Sequence, residues 1–429
     1  MLDEYLRTRN AGCRWQTSHS IPHRVRELGA SSNDETIRIS KTSLECVVDA
    51  PGSDDAAWLI RRFGDGSNPL SISAQGWAAW DLPELTAPRN FTSSSDRLFA
   101  TAFMFWPVGV RGGPVEYPPI HNHHSAYLPG ALADSYPTFL RDFKPARSAA
   151  APGSAADFWS LGKEGRASII KTLPDGYAYE LPAGGSPYSI IVNDVRPTTD
   201  ARSLQLYYEL GLRLLRRPHP RRMPSLVHHL DWFMREDDMP GARSLRSAMY
   251  QTFLLPMGRP SIKWREDRWP RGGRVVLSFW HGHHKFTDEA YVFSGSIRAV
   301  VEHAAPPTLR TESAVALPPG ADMRKLKRGL VERAAAGGAT LLCAFTPHRD
   351  GEYDRAATGG GAPGRGGAGD CTLTGHRFAA GDTLSVLCFN SAPAEANQRQ
   401  HCNLATSVAF DAEETMVEER ARGRPKYRA

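Results

Sequence analysis

Val275-Val276-Leu277-Ser278-Phe279-Trp280-His281-Gly282-His283-His284 is the stretch whose reading decides the fold. It begins as an apolar run rich in β-branched and aromatic residues, the composition of a strand, and ends with three histidines in four positions. On a strand, residues two apart share a face, so His281 and His283 present two imidazoles to one point. Imidazole suits copper, zinc, iron and nickel. The neighbouring segments have the same character: Ala290–Phe293, Ile297–Glu302, Ala339–Phe345, Thr383–Phe389 and Ala405–Phe410 all read as short strands between turns. One helix interrupts them, near Met323–Ala335, with Lys and Arg on its polar face. Short strands at this spacing predict a sandwich or jelly roll.

A second cluster lies upstream. Pro119-Ile120-His121-Asn122-His123-His124 repeats the order apolar-apolar-His-x-His-His, and His281 lies 160 residues after His121 (281 − 121). Two such clusters, one domain length apart, predict two similar β domains. Leu98–Trp106 and Tyr188–Val192 read as strands of the first, and Leu204–Leu210 as a strand or a short helix. The expected fold is mainly β. Residues 1–84 form a partly β N-terminal extension that includes the strand Leu44–Val48. Two tandem jelly-roll or β-sandwich domains occupy 85–210 and 261–412, joined by a linker at 211–260, and a charged tail spans 413–429. Prolines in Arg216–Arg222 stop a helix there, and this basic cluster reads as a solvated linker. His228-His229 is read as a linker pair and not as ligands. The glycine-rich stretch Gly359–Gly369 reads as a flexible loop.

Composition narrows the classes. Hydrophobic residues make up 41% of 429, enough for globular cores, and 38 Gly with 32 Pro favour turns over long helices. A net charge of +6 over this length gives only weak support for an anionic partner. The tail's Arg422-Gly423-Arg424-Pro425 is too short a match to predict nucleic-acid binding. No apolar run is long enough for a membrane-spanning helix, and the polar start, Met1–Tyr5, does not read as a secretory signal. None of the six cysteines forms a Cys-x-x-Cys pair, which argues against a zinc ribbon. Their number alone leaves disulfides and free thiols both open. Asn90-Phe91-Thr92 is a glycosylation sequon. No Gly-x-Ser-x-Gly elbow supports a hydrolase.

Three segments of the second half resemble the catalytic core of the peptidylglycine and dopamine monooxygenase family, copper enzymes that use ascorbate. They are the His281-Gly282-His283 strand with Ser294-Gly295 following, Gly375–Cys388, and Gln400-His401-Cys402-Asn403-Leu404. The resemblance covers roughly 140 residues and implies several features. Cys388 and Cys402 match a family disulfide, worth about 3 kcal/mol in the chain-entropy estimate, which implies an oxidising, secretory compartment. His281, His283 and His401 match the metal ligands and catalytic positions of the oxygen-activating copper. His121, His123 and His124 correspond to a second copper that relays electrons from ascorbate or a similar reductant. Small-molecule substrate and O2 are the implied partners, with Phe279, Tyr291 and Asn403 as substrate-contacting candidates.

The chain also departs from the family. His401 stands where the family has a methionine, replacing a soft thioether that favours Cu(I) with an imidazole that suits Cu(II) and zinc. Asn193 takes the place of the first site's third histidine. Phe279 and Ala405 replace the arginine and tyrosine that anchor a peptide carboxylate, so peptide amidation is not expected. Aromatic residues in strands also commonly serve the core. The leading expectation is hydroxylation of a C–H bond by a two-copper oxidoreductase. The alternatives are a non-catalytic relative and a single-metal, cupin-like protein, for which Glu289 lies poorly spaced from His283.

Overall fold

Apolar runs of six to thirteen residues pair into antiparallel ladders, and the chain is mainly β. A computed structural model describes residues 2–17, 23–28, 35–40, 44–50, 55–63, 70–72, 76–82, 97–111, 113, 120–129, 158–161, 170–182, 188–197, 204–216, 224–233, 252–269, 271–282, 287–304, 314–345 and 372–411. For parts of these, including Ile120–Pro129, positions 279–282 and positions 401, 403 and 405, the backbone alone is described. His283, His284, the glycine-rich stretch 359–369 and the tail lie outside the described residues. Two compact units emerge, one drawn mainly from Met1–Phe139 and Ala146–His229, the other mainly from Leu230–Asp411.

In the first unit, one sheet runs in the order Gln16–Thr17, Leu44–Asp49, Ala56–Phe63, Leu204–Leu215, Arg97–Gly109, Tyr177–Pro182, Ser225–Leu226. Arg97–Gly109 is an inner strand, paired on both edges. Its sequence is almost wholly apolar, and residues 98–100 and 102–106 are buried, as expected for a strand covered on both faces. Another sheet orders Phe158–Leu161, Ile120–Pro129, Tyr188–Pro197, Gly76–Leu82, His23–Leu28 and Glu35–Ser40. Residues 1–84 are thus no extension. They supply strands to both sheets, including the Leu44–Asp49 and Ala56–Phe63 pair. Nor is 211–260 a plain linker, since it carries the end of Leu204–Leu215 and the strands Ser225–Leu226, His228–Phe233 and Thr252–Leu254. The short β-branched and aromatic runs in these segments were sufficient to form strands once neighbours offered hydrogen bonds.

The helix Leu2–Gly12 packs on the first sheet. Tyr5 is buried against Trp58, with ring centroids 4.9 Å apart. Beneath it Gly211 is required: a Cβ there would sit 2.8 Å from the Tyr5 ring. A Cys13–Cys46 disulfide ties the residue just after this helix to the Leu44–Asp49 strand.

In the second unit two sheets face each other. One orders His228–Phe233, Arg399–Phe410, Gly273–Gly282 and Arg377–Phe378, with Thr252–Leu254 also on Arg399–Phe410. The other orders Val315–Ala316, Ser261–Arg268, Thr383–Asn390, Thr287–Ser294 and Thr340–Phe345. Val275, Cys402, Leu404, Val408 and Phe410 from the first meet Ala290, Val292, Leu384, Val386 and Cys388 from the second in one core. Thr383–Asn390 is apolar on both faces: Leu384, Val386 and Cys388 enter that core, while Leu387 and Phe389 enter another beneath two helices. Alternation of period two sorts them.

Those helices are Arg298–Ala304 and Met323–Ala336. The second follows the expected span. Asp322 caps it by accepting from the Lys325 backbone N–H at 3.1 Å, and the chain leaves through Gly338 at φ 88°. The first corrects an expectation: Ile297–Glu302 is not a strand. Glu266 Oε1 accepts from the Ile297 and Arg298 backbone N–H groups at 2.7 and 2.8 Å, satisfying donors a helix start leaves open. Ile297 and Val301 then bury one helical face, a spacing of four that the β-branched composition had masked.

The Cys388–Cys402 disulfide joins the two facing sheets through their shared core. Closing this short loop stabilises the fold by about 3 kcal/mol in the chain-entropy estimate. A Cys388→Ser/Cys402→Ser double variant is therefore expected to lose about that much, read as a lower urea midpoint at unchanged slope.

Candidate metal centre

The Gly273–Gly282 and Arg399–Phe410 strands pair antiparallel, with His281 opposite Asn403 and Gly282 opposite Cys402. Residues directly opposite share a face. Cys402, Leu404, Val408 and Phe410 belong to the core, so positions 281, 401 and 403 fall on the other face of this sheet. His401 is two residues from Asn403 and thus diagonal to His281. Diagonal neighbours stand roughly 7–8 Å apart, within reach of one ion for two long side chains. On its far side, His401 pairs with Thr252. The described pairing runs as far as Gly282, and His283 lies outside the described residues.

The disulfide sits directly beneath. Cys402 follows His401 in the chain and lies across from Gly282, which follows His281. Locking Cys402 to the facing sheet fixes the backbone on which both histidines stand. The pair implied by the resemblance is therefore bonded, and it lies beside the candidate ligands.

Phe279, opposite Ala405, takes the same face as His281. Asn403 shares it too. Tyr291 does not join them. It stands on the Thr287–Ser294 strand of the facing sheet and packs under the helices against Phe389, ring centroids 5.5 Å apart and near perpendicular. Its hydroxyl donates to Glu289, which Lys327 approaches at 3.5 Å. Burial first, then this carboxylate, raise its pKa. The whole shared core separates Tyr291 from the histidine face, so it does not line a pocket with His281.

In the first unit, His124 lies opposite Asn193, and His121 opposite Arg196. Asn193 is the residue the resemblance put in place of the missing histidine, and the register brings it to His124. His121 and His123, however, fall on the other face of the strand, so the three histidines are not gathered on one side. His228 and His229 begin the strand His228–Phe233. Among the residues with described side chains, no group of three His, Cys, Asp or Glu forms a metal site. None of the six candidate histidines has a described side chain.

Sequence reasoning missed a polar cluster in the first unit. Glu209, fully buried, accepts from Arg9 Nε and Nη2 at 3.0 and 2.8 Å. Arg62 Nε and Nη2 donate to its Oε1 at 2.9 and 2.5 Å, and Tyr5 Oη donates to its Oε2 at 3.2 Å. The Arg62 guanidinium also stacks 4.1 Å from the Trp15 ring centroid. The available signal was a lone carboxylate within the apolar run Leu204–Leu215.

His376, half-buried in a turn, is held below its ordinary pKa of 6.5 by loss of solvent, against the opposing pull of Asp382. The unfolded chain therefore takes up this proton at higher pH than the folded chain. Stability from this group is whole above pH 6.5 and is lost as pH falls from there through the folded value. Between pH 7.5 and 5.5 the wild type is expected to lose more unfolding free energy than His376→Gln, measured by urea titration at each pH.

Among the described residues no helix is long and apolar enough to cross a membrane. No protein-family model matches the chain, nor does any curated protein.

Proposed function

We propose that this chain is a copper-dependent monooxygenase built from two tandem β-sandwich units, hydroxylating a C–H bond of a small substrate with O2 and a reductant such as ascorbate. The observation that carries the reading is the register: it sets His281 and His401 diagonally on one sheet face, over the Cys388–Cys402 disulfide. Imidazoles on diagonal strand positions can reach one copper ion, and His283 is the third donor. Copper, when bound, supplies the oxygen and C–H chemistry that no side chain here can perform.

The chain's own residues hold and orient. His281, His283 and His401 keep the ion on a backbone stiffened by the disulfide. Phe279 adds an apolar wall on the same face, and Asn403 offers an amide to a polar group of the substrate. Tyr291 has no part in this site. The disulfides favour an oxidising, secretory setting.

A second reading, a single-metal or non-catalytic relative, draws support from the first unit. There His124 faces Asn193 while His121 and His123 take the other face, an arrangement poorly suited to a second copper.

Oxygen uptake by the copper-loaded chain with ascorbate separates the two. The monooxygenase reading expects catalytic, reductant-dependent uptake that His281→Ala removes. Uptake no greater than that of His281→Ala, with copper bound to the wild type, would select the second reading.

A further inference from the structure

The helix-covered face of the first sheet carries three guanidinium groups and one carboxylate. Arg9 and Arg62 both close their Nε/Nη2 edge on Glu209. Arg213 stands four residues beyond Glu209 on the strand Leu204–Leu215, and so on the same face. Its Nη1 donates to Thr101 Oγ1 at 3.0 Å, and the Thr101 hydroxyl donates back to the Arg213 carbonyl at 3.3 Å. The Nε–H of Arg213 is buried and has no hydrogen-bond partner. No carboxylate among the described residues pairs with it.

A second unpartnered donor lies across the ladder. Trp58 pairs directly with Arg213, which places their Cβ atoms roughly 4.5–5.5 Å apart on one face. Trp58 is fully buried, and its indole Nε1–H also has no partner. Two buried N–H groups without partners on directly paired residues, one of them cationic, call for an acceptor. A guanidinium edge of this kind takes two oxygens of one planar or tetrahedral anion, as the same edge of Arg9 does with Glu209. Arg213 as a whole is only half-buried, although its Nε lies out of solvent.

We propose that Arg213 and Trp58 form a binding site for a small oxyanion, a carboxylate or a phosphate. The Arg213 Nε/Nη2 edge is the main contact and the Trp58 indole N–H the second donor. Thr101 holds the guanidinium in place through Nη1. The site is independent of the candidate metal centre, since all its residues belong to the first unit.

The test is calorimetric titration of the full-length chain with inorganic phosphate and, separately, with acetate, at ionic strength held constant with chloride. Saturable binding of at least one is expected, with phosphate and acetate distinguishing the two sources of the oxyanion. Arg213→Gln should weaken it tenfold or more, Arg213→Lys should restore only part, and Trp58→Phe should weaken it severalfold while keeping the ring packing on Tyr5. Circular dichroism identifies any variant that fails to fold, and Arg213→Lys, which keeps charge and bulk, then carries the comparison. No saturable binding of either anion, or equal binding by wild type and Arg213→Lys and Arg213→Gln, overturns the proposal.

Discussion

Glu209→Ala is expected to destabilise the first unit by about 3–5 kcal/mol, the cost of leaving buried charges without their partner. Glu209 is wholly buried, and the side chains of Arg9 and Arg62 are 6% and 11% exposed. Removing the carboxylate strands both guanidinium groups between the Leu2–Gly12 helix and the sheet and orphans the Tyr5 hydroxyl. Tyr5→Phe, which removes one hydrogen bond and keeps the ring against Trp58, should cost only about 1 kcal/mol. Urea unfolding of both variants gives the comparison. A loss below 1 kcal/mol for Glu209→Ala would mean that water replaces the carboxylate and that the helix is not clamped by this network.

His401→Met is expected to shift the metal preference of the second unit toward Cu(I), by about 1.4 kcal/mol or tenfold in the ratio of Cu(I) to Cu(II) affinity. The reasoning rests on donor softness: a thioether stabilises the reduced ion, whereas an imidazole serves Cu(II) and zinc as well. The register leaves the position itself unaltered, diagonal to His281 and adjacent to the Cys388–Cys402 bond. Competition against chromophoric chelators for each oxidation state measures the ratio. An unchanged ratio would remove position 401 from the ligand set.

Much of the strand pattern was legible because short apolar runs rich in β-branched and aromatic residues, bounded by turn residues, leave few alternatives. Arg97–Gly109, Tyr188–Pro197, Thr383–Asn390 and the His281 strand all stand where their sequences place them. Leu204–Leu215, ambiguous between strand and short helix in sequence, is a strand because Ala56–Phe63 and Arg97–Gly109 hydrogen-bond it from both sides. The helix Arg298–Ala304 was hidden for the converse reason. Its β-branched residues favour strands locally, and the Glu266 carboxylate that caps it comes from 31 and 32 residues away. Residues 1–84 read as an extension because their short runs reveal no partner until Leu204–Leu215 is placed beside them.

The candidate site was legible in part. The His-x-His pattern could be read from spacing, the Cys388–Cys402 pair only from the resemblance, and the register adds that His281, His401, Asn403 and Phe279 share one face. Tyr291 could not be excluded in sequence, because nothing local tells which of two facing sheets, or which side of it, a tyrosine will occupy. The open edge of Arg213 was equally invisible: it depends on the absence of a carboxylate that only the fold could have supplied.

Copper retained after loading and exhaustive dialysis, compared across wild type, His281→Ala and His401→Ala, tests the central claim most directly. The account predicts that each variant retains one copper fewer per chain than the wild type. Equal copper in all three, or none in the wild type, would contradict a metal centre on the His281 and His401 face.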